Sequence, residues 1–423
     1  MATSGRHRAA EPVSRRTALK LAAIGAVTYG LTRSGAPVEP PAPPAREVLR
    51  GVNLNGPEFG VGRNLGGTGS GDTFSNLDPG THDGSDLRAY HYPTDGDFAY
   101  LAGRGVGMVR LPVRWERLQP TWDAPLEPAE LGRLEGTLDL AAAHGIRVVP
   151  ALASYGAYWV HEDGVGVRRA IGSARGPGIE QFADFWSRLA TALAGRPSLA
   201  AYGLTGEPLL DAVDGYSATA LWERAAQAAC EAVAAVDPAT PIAVSVYGYN
   251  LYTDPRVSHG GGPWITGVAN PIWYEAHQYF TLEDEGTSYA RAVEFAESLG
   301  YTAGDRPDAL HTRAVAEIDA FHSWLEGETG YIGETGWAKD ESAERWSALA
   351  ARTYERFNDY GFHVTAWCAG AWWPPTENLL VYGASRSTSS AAALVLDTAY
   401  VHATVIEDPA NLTHRSRSGL APP

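Results

Sequence analysis

Two short stretches of the chain end in the same way: YGLTGEP at residues 202–208 and GYIGETG at residues 330–336. Each runs from apolar residues into a glutamate and is then broken by proline or glycine, which is typical of a buried strand that turns into a loop. The two glutamates, Glu207 and Glu334, meet if both strands belong to one parallel barrel, because the carboxyl ends of its strands share one end of the fold. A facing pair of carboxylates is the catalytic pair that most glycoside hydrolases use to break a glycosidic bond.

Stretches with the character of strands recur along the chain, and helical patterns separate most of them. The strand-like stretches cover residues 47–53, 107–111, 146–152, 200–205, 241–246, 272–277, 330–333 and 364–367, and the helical patterns include residues 94–104, 128–144, 179–194, 218–236, 306–326 and 341–360. This alternation predicts an α/β fold, a (β/α)8 TIM barrel. A doubly wound sheet is the alternative, but it is expected to carry a glycine-rich phosphate turn after its first strand, and no such spacing is present.

The composition of the 423 residues favours a large core and an uncharged partner. Hydrophobic residues make up 44% of the chain, and the 13 tryptophans exceed what core packing alone requires. Because a tryptophan face packs well on the apolar face of a sugar ring, the surplus indicates platforms for a glycan. The net charge of −16 argues against nucleic acid and against anionic membrane surfaces, but it does not disfavour a neutral polysaccharide.

The two cysteines, Cys230 and Cys368, give no sign of a metal site, because no cysteine–histidine spacing in the chain resembles one. We therefore expect no metal and no other cofactor. The sequence leaves open a disulfide between the two cysteines. The expected partner is a polysaccharide or oligosaccharide substrate, and the chain is expected to be a monomer.

The N-terminal segments are predicted to be targeting and linker sequence rather than part of the fold. In residues 1–34 the pair Arg15–Arg16 precedes an apolar stretch, which resembles a twin-arginine export signal and is too short for a stable membrane span. Residues 35–46 are rich in proline and alanine and are predicted to be a linker. The barrel domain is then expected to cover residues 47–423 and to be secreted, with retention at the cell surface left open.

Two long insertions are predicted at the carboxyl ends of the strands, where loops build the binding cleft of a barrel. Residues 55–93 are rich in glycine, aspartate, serine and threonine, and their glycine-rich run lacks the lysine of a phosphate-binding loop. Residues 247–270 carry the aromatic side chains of Tyr247, Tyr249, Tyr252 and Trp264. Both insertions are expected to line the mouth of the barrel.

Further motifs follow one another in the order and spacing of a known family. They are GVNLNGPEFG at residues 51–60, YPT at 92–94, VRLPVRWERLQP at 109–120, YEAHQY at 274–279 and AWCAGAWW at 366–373. Over nearly the whole barrel the chain resembles glycoside hydrolase family 5, the cellulase-type family, and the second and third motifs are close to its fungal-type endoglucanase branch. The resemblance implies a retaining hydrolase of β-linked glycans.

The resemblance also assigns roles to particular side chains. It implies that Glu207 is the general acid/base and Glu334 the nucleophile, and the charge of Glu334 is expected to raise the pKa of Glu207. Around the pair, the substrate-binding side chains are predicted to be Arg110, Tyr155, His277, Tyr279, Trp367 and Trp373. Three other glutamates near strand ends, Glu58, Glu116 and Glu275, are interpreted as cleft or surface carboxylates without a catalytic role.

The chain departs from the family beside the proposed pair. Gly206 stands where the family has an asparagine that contacts the 2-hydroxyl of the sugar, and Ala153–Ser154 stands where it has His-Asn. Both changes are expected to enlarge the subsite that holds the sugar whose bond breaks (subsite −1) and to remove polar contacts from it.

Three hypotheses therefore stay open. In the first, the protein is an endo-β-1,4-glucanase in which Ser154, Thr205 or Tyr155 supplies the missing contacts. In the second, it is a β-glycosidase whose subsite −1 accepts another sugar or one modified at the 2-position. In the third, it is a non-catalytic glycan-binding protein at the cell surface. An α/β esterase is disfavoured, because the sequence has no Gly-x-Ser-x-Gly motif.

Overall fold

The computed structural model describes residues 47–59, 90–162, 165–213, 215–248, 251, 254–280, 288–338, 342–373, 377, 379–383 and 396. The predicted export signal (1–34), the predicted linker (35–46) and most of the insertion at residues 55–93 lie outside these ranges and stay predictions, as do Tyr249 and Tyr252. Within the described ranges, no helix is both long enough and apolar enough to cross a membrane.

The strands of the described residues form a closed barrel and one hairpin. They are β1 (Arg50–Leu54), β2 (Met108–Val113), β3 (Arg147–Leu152), β4 (Ala157–Glu162), β5 (Val165–Ala170), β6 (Tyr202–Gly203), β7 (Ile242–Ser245), β8 (Ile272–Tyr279), β9 (Thr329–Gly336), β10 (His363–Gly370) and β11 (Tyr382–Gly383). The barrel order is β1-β2-β3-β6-β7-β8-β9-β10, all parallel, and the pairing of β1 with β10 closes it. The hairpin of β4 and β5 follows β3, and β11 pairs with β10. The predicted (β/α)8 barrel is confirmed, and each barrel strand overlaps a predicted stretch.

Helices separate most of the barrel strands. Those in the described residues are α1 (Asp95–Gly103), α2 (Trp115–Leu118), α3 (Pro128–Ala143), α4 (Ile179–Leu193), α5 (Ala218–Ala234), α6 (Pro255–His259), α7 (Tyr289–Ser298), α8 (Ala309–Trp324) and α9 (Ala343–Asp359). The predicted helices correspond to α1, α3, α4, α5, α8 and α9. The sequence did not predict α2 and α6, which are too short to show a period, or α7, whose buried face is mostly alanine. The hairpin of β4 and β5 was also not predicted.

Side-chain capping explains where several helices begin. The side chains of Ser217, Ser288 and Asp308 accept hydrogen bonds from backbone N–H groups in the first turns of α5, α7 and α8. These N–H groups have no partner within the helix, so a polar cap stabilises the start by about 1 kcal/mol. Each of these three helices therefore begins at a residue that the sequence defines.

Strand alternation divides the side chains between the barrel interior and the surrounding helices. On β2, Val109 and Leu111 are buried in the large core between strands and helices, whereas Met108 belongs to a small cluster inside the barrel that includes Trp273 and Tyr331. The next inward position of β2 carries Arg110, so a buried charge lies directly above an apolar floor. Elsewhere, Cys230 on α5 and Cys368 on β10 are both buried, and no disulfide joins them.

Candidate active site

Glu207 and Glu334 meet at the carboxyl ends of the barrel strands. Glu207 lies in the loop after β6, and Glu334 lies within β9. An oxygen of each carboxylate and a ring nitrogen of His277 all lie within 4.8 Å of one another. The backbone of Glu207 adopts a φ of 47°, which is uncommon outside glycine, and such strained positions are concentrated at functional sites.

A register shift in β9 turns Glu334 into the barrel. Tyr331 pairs with Glu275 and points inward, so strict alternation along the strand would point Glu334 outward. Just before His277 the register shifts by one residue, and Glu334 then pairs with His277. The extra residue is Gly333, and a Cβ there would overlap Oε1 of Glu275. A local irregularity and a glycine therefore bring the second carboxylate into the site.

Glu334 accepts hydrogen bonds on both carboxylate oxygens. Arg110 Nη1 donates to Oε1 over 2.9 Å, and the Tyr279 hydroxyl donates to Oε2 over 2.7 Å. Arg110 Nη1 also donates to Oδ1 of Asn53 over 2.9 Å, so the guanidinium is held from β1 as well. Burial raises the pKa of Tyr279 well above its ordinary value, and Glu334 and Glu207 add to the rise, so the phenol keeps its proton. These donors suit a negatively charged carboxylate.

Glu207 has a single side-chain hydrogen-bond partner among the described residues, the Nδ1 atom of His277 at 2.9 Å from Oε1. Burial raises the pKa of Glu207; the His277 bond and Arg110 oppose the rise, and the charge of Glu334 adds to it. The net effect is a pKa above the ordinary value, which favours the protonated form that a general acid needs. The Glu207 side chain is 16% exposed, against 3% for His277, so the carboxyl group is accessible from the cleft.

His277 contacts carboxylates with both ring nitrogens. Nδ1 lies 2.9 Å from Glu207 and 3.5 Å from Glu334, and Nε2 lies 3.1 Å from Glu275. Burial alone lowers the pKa of His277, but the three carboxylates outweigh it and raise the pKa to about 10. The ring is therefore an imidazolium at neutral pH and has no lone pair to offer. Glu207, His277 and Glu334 lie close enough together to hold a metal ion, and an imidazolium must lose a proton before it can bind one.

The interpretation of Glu58, Glu116 and Glu275 as cleft or surface carboxylates is wrong, because all three are buried. Glu58 accepts a hydrogen bond from the side-chain amide of Asn55, and Glu116 accepts one from the backbone of Trp159. These two glutamates hold loop segments together. Hydrogen bonds to both carboxylate oxygens offset the cost of burying Glu58, whereas Glu116 is bonded through Oε1 and its buried Oε2 has no partner among the described residues.

Glu275 belongs to the site itself, a place that the sequence did not predict for it. It is fully buried, and its Oε1 lies 3.1 Å from Arg110 Nε and 3.1 Å from His277 Nε2. Burial alone raises the pKa of Glu275, but Arg110 and His277 outweigh it, so the pKa lies below the ordinary value and the group is ionised. The signal was present in the sequence: Glu275 stands two residues before His277, which puts both on the same face of one strand.

The glycine before Glu207 does not leave an empty space, and the expectation of a simple enlargement is wrong at this position. A Cβ at Gly206 would lie 2.5 Å from Arg110 Nη2, which is closer than real side chains approach. Arg110 contacts Glu275 through Nε, and Asn53 and Glu334 through Nη1, whereas Nη2 makes no hydrogen bond among the described residues. The guanidinium of Arg110 therefore occupies the space beside Gly206. A guanidinium donor stands where the family has the side-chain amide of an asparagine, so this part of the subsite keeps a polar group.

The side chains proposed to replace the missing contacts differ in their access to the cleft. Thr205 is fully buried and its hydroxyl donates to the carbonyl oxygen of Leu152 over 3.2 Å. Ser154 is also buried, whereas Tyr155 is half-buried and adopts a φ of 54°. Of the three, Tyr155 is the side chain with surface available to a ligand.

Two tryptophans of the last-strand motif stand edge to face. The ring centroids of Trp367 and Trp373 are 5.9 Å apart, and both side chains are half-buried. Trp373 Nε1 donates to Oδ1 of Asn55 over 3.0 Å, and the amide nitrogen of Asn55 donates to Glu58 over 2.6 Å. A buried carboxylate therefore orients the amide, and the amide orients the indole. Partly exposed indole rings of fixed orientation suit the stacking of sugar rings.

The predicted site residues fall into two groups. Those in direct contact with one another are Glu207, Glu334, Arg110, His277 and Tyr279. The other three are Trp367 and Trp373, whose rings contact each other, and Tyr155, which follows β3.

The chain is similar to known carbohydrate-active enzymes. The profile of the Cellulase family (glycosyl hydrolase family 5) matches residues 73–372. The endoglucanase of Pseudomonas stutzeri in complex with cellobiose is 26% identical, over 85% of this chain and 94% of that one, with a TM-score of 0.64. A triply substituted endo-β-1,4-glucanase from Xanthomonas axonopodis pv. citri is 25% identical, over 84% of this chain and 99% of that one, also with a TM-score of 0.64. A family 5 xyloglucanase from Paenibacillus pabuli, at 16% identity over 85% and 99% with a TM-score of 0.59, shares the fold alone.

Proposed function

Because the chain belongs to glycosyl hydrolase family 5 and is a glycoside hydrolase, we propose that it cleaves β-linked glucans as an endo-β-1,4-glucanase, with Glu334 as nucleophile and Glu207 as general acid/base. The observation that carries the proposal is the carboxylate pair, with an oxygen of each within 4.8 Å of the other. Retaining glycosidases hold their two carboxyl groups about 5 Å apart, whereas inverting enzymes need about 6.5–9.5 Å to admit a water molecule.

In the first step, Glu334 attacks the anomeric carbon while Glu207 gives its proton to the oxygen of the departing sugar. The bond between that carbon and the glycosidic oxygen breaks, and its electron pair stays on the oxygen. The raised pKa of Glu207 supports the presence of the proton, and the Arg110 and Tyr279 donors hold Glu334 in one orientation for attack.

In the second step, the roles of Glu207 are reversed. Once Glu334 is part of an ester it no longer carries a charge, so the pKa of Glu207 falls and its carboxylate takes a proton from water. The water oxygen attacks the anomeric carbon and the ester bond to Glu334 breaks. Two inversions at one carbon give net retention of configuration.

The glucan substrate is supported by the relatives and by the aromatic side chains. The Pseudomonas stutzeri and Xanthomonas axonopodis relatives are endoglucanases, and the former was solved with cellobiose. The half-buried indoles of Trp367 and Trp373 are suited to stack on glucose rings, whose axial C–H bonds make an apolar face. The fungal-type branch and the monomeric state stay predictions.

A second candidate is a β-glycosidase that takes another sugar, or one modified at the 2-position, in subsite −1. The observation in its favour is the pair of small side chains at Ala153 and Gly206. The observation that weighs against it is Arg110 Nη2, which already fills the space beside Gly206. A non-catalytic glycan-binding protein is the third candidate, but glycan binding alone gives no reason to gather five interacting ionisable groups, three of them buried, beside a cleft.

The test is hydrolysis of a panel of soluble β-glucan, xyloglucan, mannan and 2-modified β-glucosides, with the anomer of the first product followed by NMR. We expect cleavage of β-1,4-glucan with the β-anomer formed first. An α-anomer would refute the double displacement. Turnover restricted to other or 2-modified sugars would favour the second candidate, and binding without turnover would favour the third.

The export route is a separate part of the proposal. The twin-arginine pair in residues 1–34 supports secretion, with retention at the cell surface as a further outcome. The experiment is expression of the full chain with Arg15→Lys and Arg16→Lys together, followed by fractionation. Secretion that is unchanged in the double variant would refute the twin-arginine route.

A further inference from the structure

Five ionisable side chains form one cluster at the centre of the site: Arg110, Glu275 and His277 are buried, and Glu207 and Glu334 are partly exposed. Arg110 and His277 carry positive charge, and the carboxylates of Glu275 and Glu334 each contact both of them. The charges of these four groups cancel one another. The cluster as a whole is therefore neutral only when Glu207 carries a proton, and a net charge in a buried site costs free energy.

We propose that Glu275 is a positioning residue for the reaction: its buried negative charge allows the Glu207–His277 pair to hold two protons at once. One proton completes the imidazolium that donates to Glu207, and the other is the proton that Glu207 delivers to the leaving group. This inference rests on the proposed role of Glu207. Glu275 itself does not meet the substrate, because it is fully buried below the cleft.

Geometry holds Glu275 in one place. Its Oε1 lies between Arg110 Nε and His277 Nε2, at 3.1 Å from each. The room for this oxygen exists because residue 333 is glycine, and the same register shift at Gly333 turns Glu334 toward His277. One irregularity in β9 thus accommodates Glu275 and aims the proposed nucleophile.

The groups around Glu275 determine what its removal would do. Arg110 from β2 and His277 from β8 face it with positive charge, and the buried phenol of Tyr331 on β9 is neutral. Without the charge of Glu275, the two cations would face Glu334 alone, and one proton of the Glu207–His277 pair would leave at a lower pH. Because Glu207 and His277 titrate as a coupled pair, the pH profile shows the loss of one proton from the pair whichever of the two groups releases it.

The experiment is the pH profile of kcat/KM for Glu275→Gln, which keeps the shape of the side chain and an acceptor oxygen for Arg110 and His277. We expect the basic limb of the profile to move to lower pH by about 1–2 units, since a neighbouring charge shifts a titration by roughly that amount. Activity at low pH should be largely kept. Glu275→Asp retains the charge, and we expect it to return the basic limb toward the position of the unsubstituted protein.

The matched control is Glu317→Gln, which removes a buried carboxylate paired with Arg313 at 2.7 Å, in α8. We expect this variant to leave the pH profile unchanged. An equal loss of activity at every pH in Glu275→Gln, with the basic limb in place, would show a merely structural role and overturn the proposal.

A second measurement does not depend on turnover. The ¹⁵N NMR signals of the His277 ring report whether it is an imidazolium, and we expect its titration in Glu275→Gln to move to lower pH. If the protein cleaves no glycan at all, the proposed function fails, but this titration still tests the role of Glu275. An unchanged ring titration together with an unchanged basic limb would refute the inference, and circular dichroism checks that each variant is folded.

Discussion

The two sides of the candidate site differ in how they hold a glutamate at the end of a strand. On the nucleophile side, Glu334 accepts hydrogen bonds on both oxygens from the buried donors Arg110 and Tyr279. On the acid/base side, Glu207 has His277 as its one side-chain partner among the described residues, and glycine precedes it. Glu334 therefore has two hydrogen-bond donors of its own, whereas Glu207 has one donor, the His277 imidazolium, which also contacts Glu275 and Glu334.

This difference gives two identical carboxyl groups opposite tasks. The two donated hydrogen bonds hold Glu334 in one orientation for attack, whereas burial and the nearby charge of Glu334 raise the pKa of Glu207 and favour a carboxyl group that holds a proton. Glu207 is also the more accessible of the pair, at 16% exposure against 12% for Glu334. The environment, and not the residue type, separates acid from nucleophile.

The largest expected effect is the loss of activity on replacing either glutamate, and the two losses should depend differently on the leaving group of the substrate. Glu334→Gln should lower kcat by about 10⁵-fold or more, because no covalent intermediate can form. Glu207→Gln should cost about 10²–10⁴-fold on a poor leaving group, because proton donation is lost. The measurement is the rate on two aryl β-cellobiosides that differ in the acidity of the phenol.

The control for this prediction is the substrate rather than a third variant. An acidic phenol leaves without receiving a proton from a general acid. On that substrate the rate of the first step should therefore recover in Glu207→Gln, but it should stay low in Glu334→Gln. Equal responses of the two variants to the leaving group would contradict the assignment of distinct roles.

The next effect concerns the glycine on the acid/base side. Gly206→Ala places a methyl group 2.5 Å from Arg110 Nη2, so the guanidinium must move and its bond to Glu334 is disturbed. A displacement of about 1 Å in a reacting group costs roughly 10²-fold, so we expect kcat/KM to fall by about 10–100-fold. Gly206→Asn, although it restores the residue of the family, should fall further.

Steady-state kinetics on β-1,4-glucan check this prediction. Gly136→Ala in α3 is the matched control, because a Cβ there meets no atom within 4 Å and the site is remote. A gain of activity in Gly206→Asn would show that Arg110 does not occupy this space in solution.

A third prediction concerns His277, which joins the two sides. Its pKa is about 10 in the folded protein and 6.5 in the unfolded chain, so the stability it contributes is fully present below pH 6.5 and is lost as the pH rises toward 10. Denaturant titrations at pH 6 and pH 9 should show the unfolding free energy falling with pH, with a slope of at most about 1.4 kcal/mol per unit for one proton.

His277→Gln should remove most of this slope. The variant is the reference because the other eleven histidines and the two cysteines, which also titrate in or near this range, are present in both proteins and contribute equally to both slopes. If the unsubstituted protein and the variant show parallel slopes, the imidazolium does not link the two sides.

The smallest expected effect lies outside both sides, at the aromatic platform. Trp373→Phe keeps a ring but removes the hydrogen bond to Asn55, which is worth about 1 kcal/mol, or roughly a fivefold change. We expect KM for cello-oligosaccharides to rise by about that factor while kcat stays unchanged. A fall in kcat without a change in KM would mean that the indole acts on the chemistry rather than on binding.

Much of the barrel could be predicted from the chain because its signals are local. Strand stretches such as residues 107–111 and 272–277 show apolar runs bounded by turns, and the helical stretches between them show a longer period. The short helices α2 and α6 left no such signal. The proposed carboxylate pair was predictable because each glutamate stands at the break of a strand.

The electrostatic environment of the pair could not be predicted in the same way. Glu275 was assigned to the cleft or surface because its burial depends on Gly333 and Arg110, which lie on other strands. Gly206 was expected to leave room because the side chain that fills it comes from β2. Both errors concern contacts between residues far apart in the chain.

Local periodicity and turn residues were therefore enough to establish the eight-stranded barrel and the end at which Glu207 and Glu334 lie, since both depend on short-range backbone preferences. Tertiary packing alone decided that Glu334 turns inward at a register shift, that His277 contacts three carboxylates, and that Arg110 fills the space beside Gly206. The physical reason is that charge interactions and close packing depend on distances in space, which strand pairing sets and sequence separation does not.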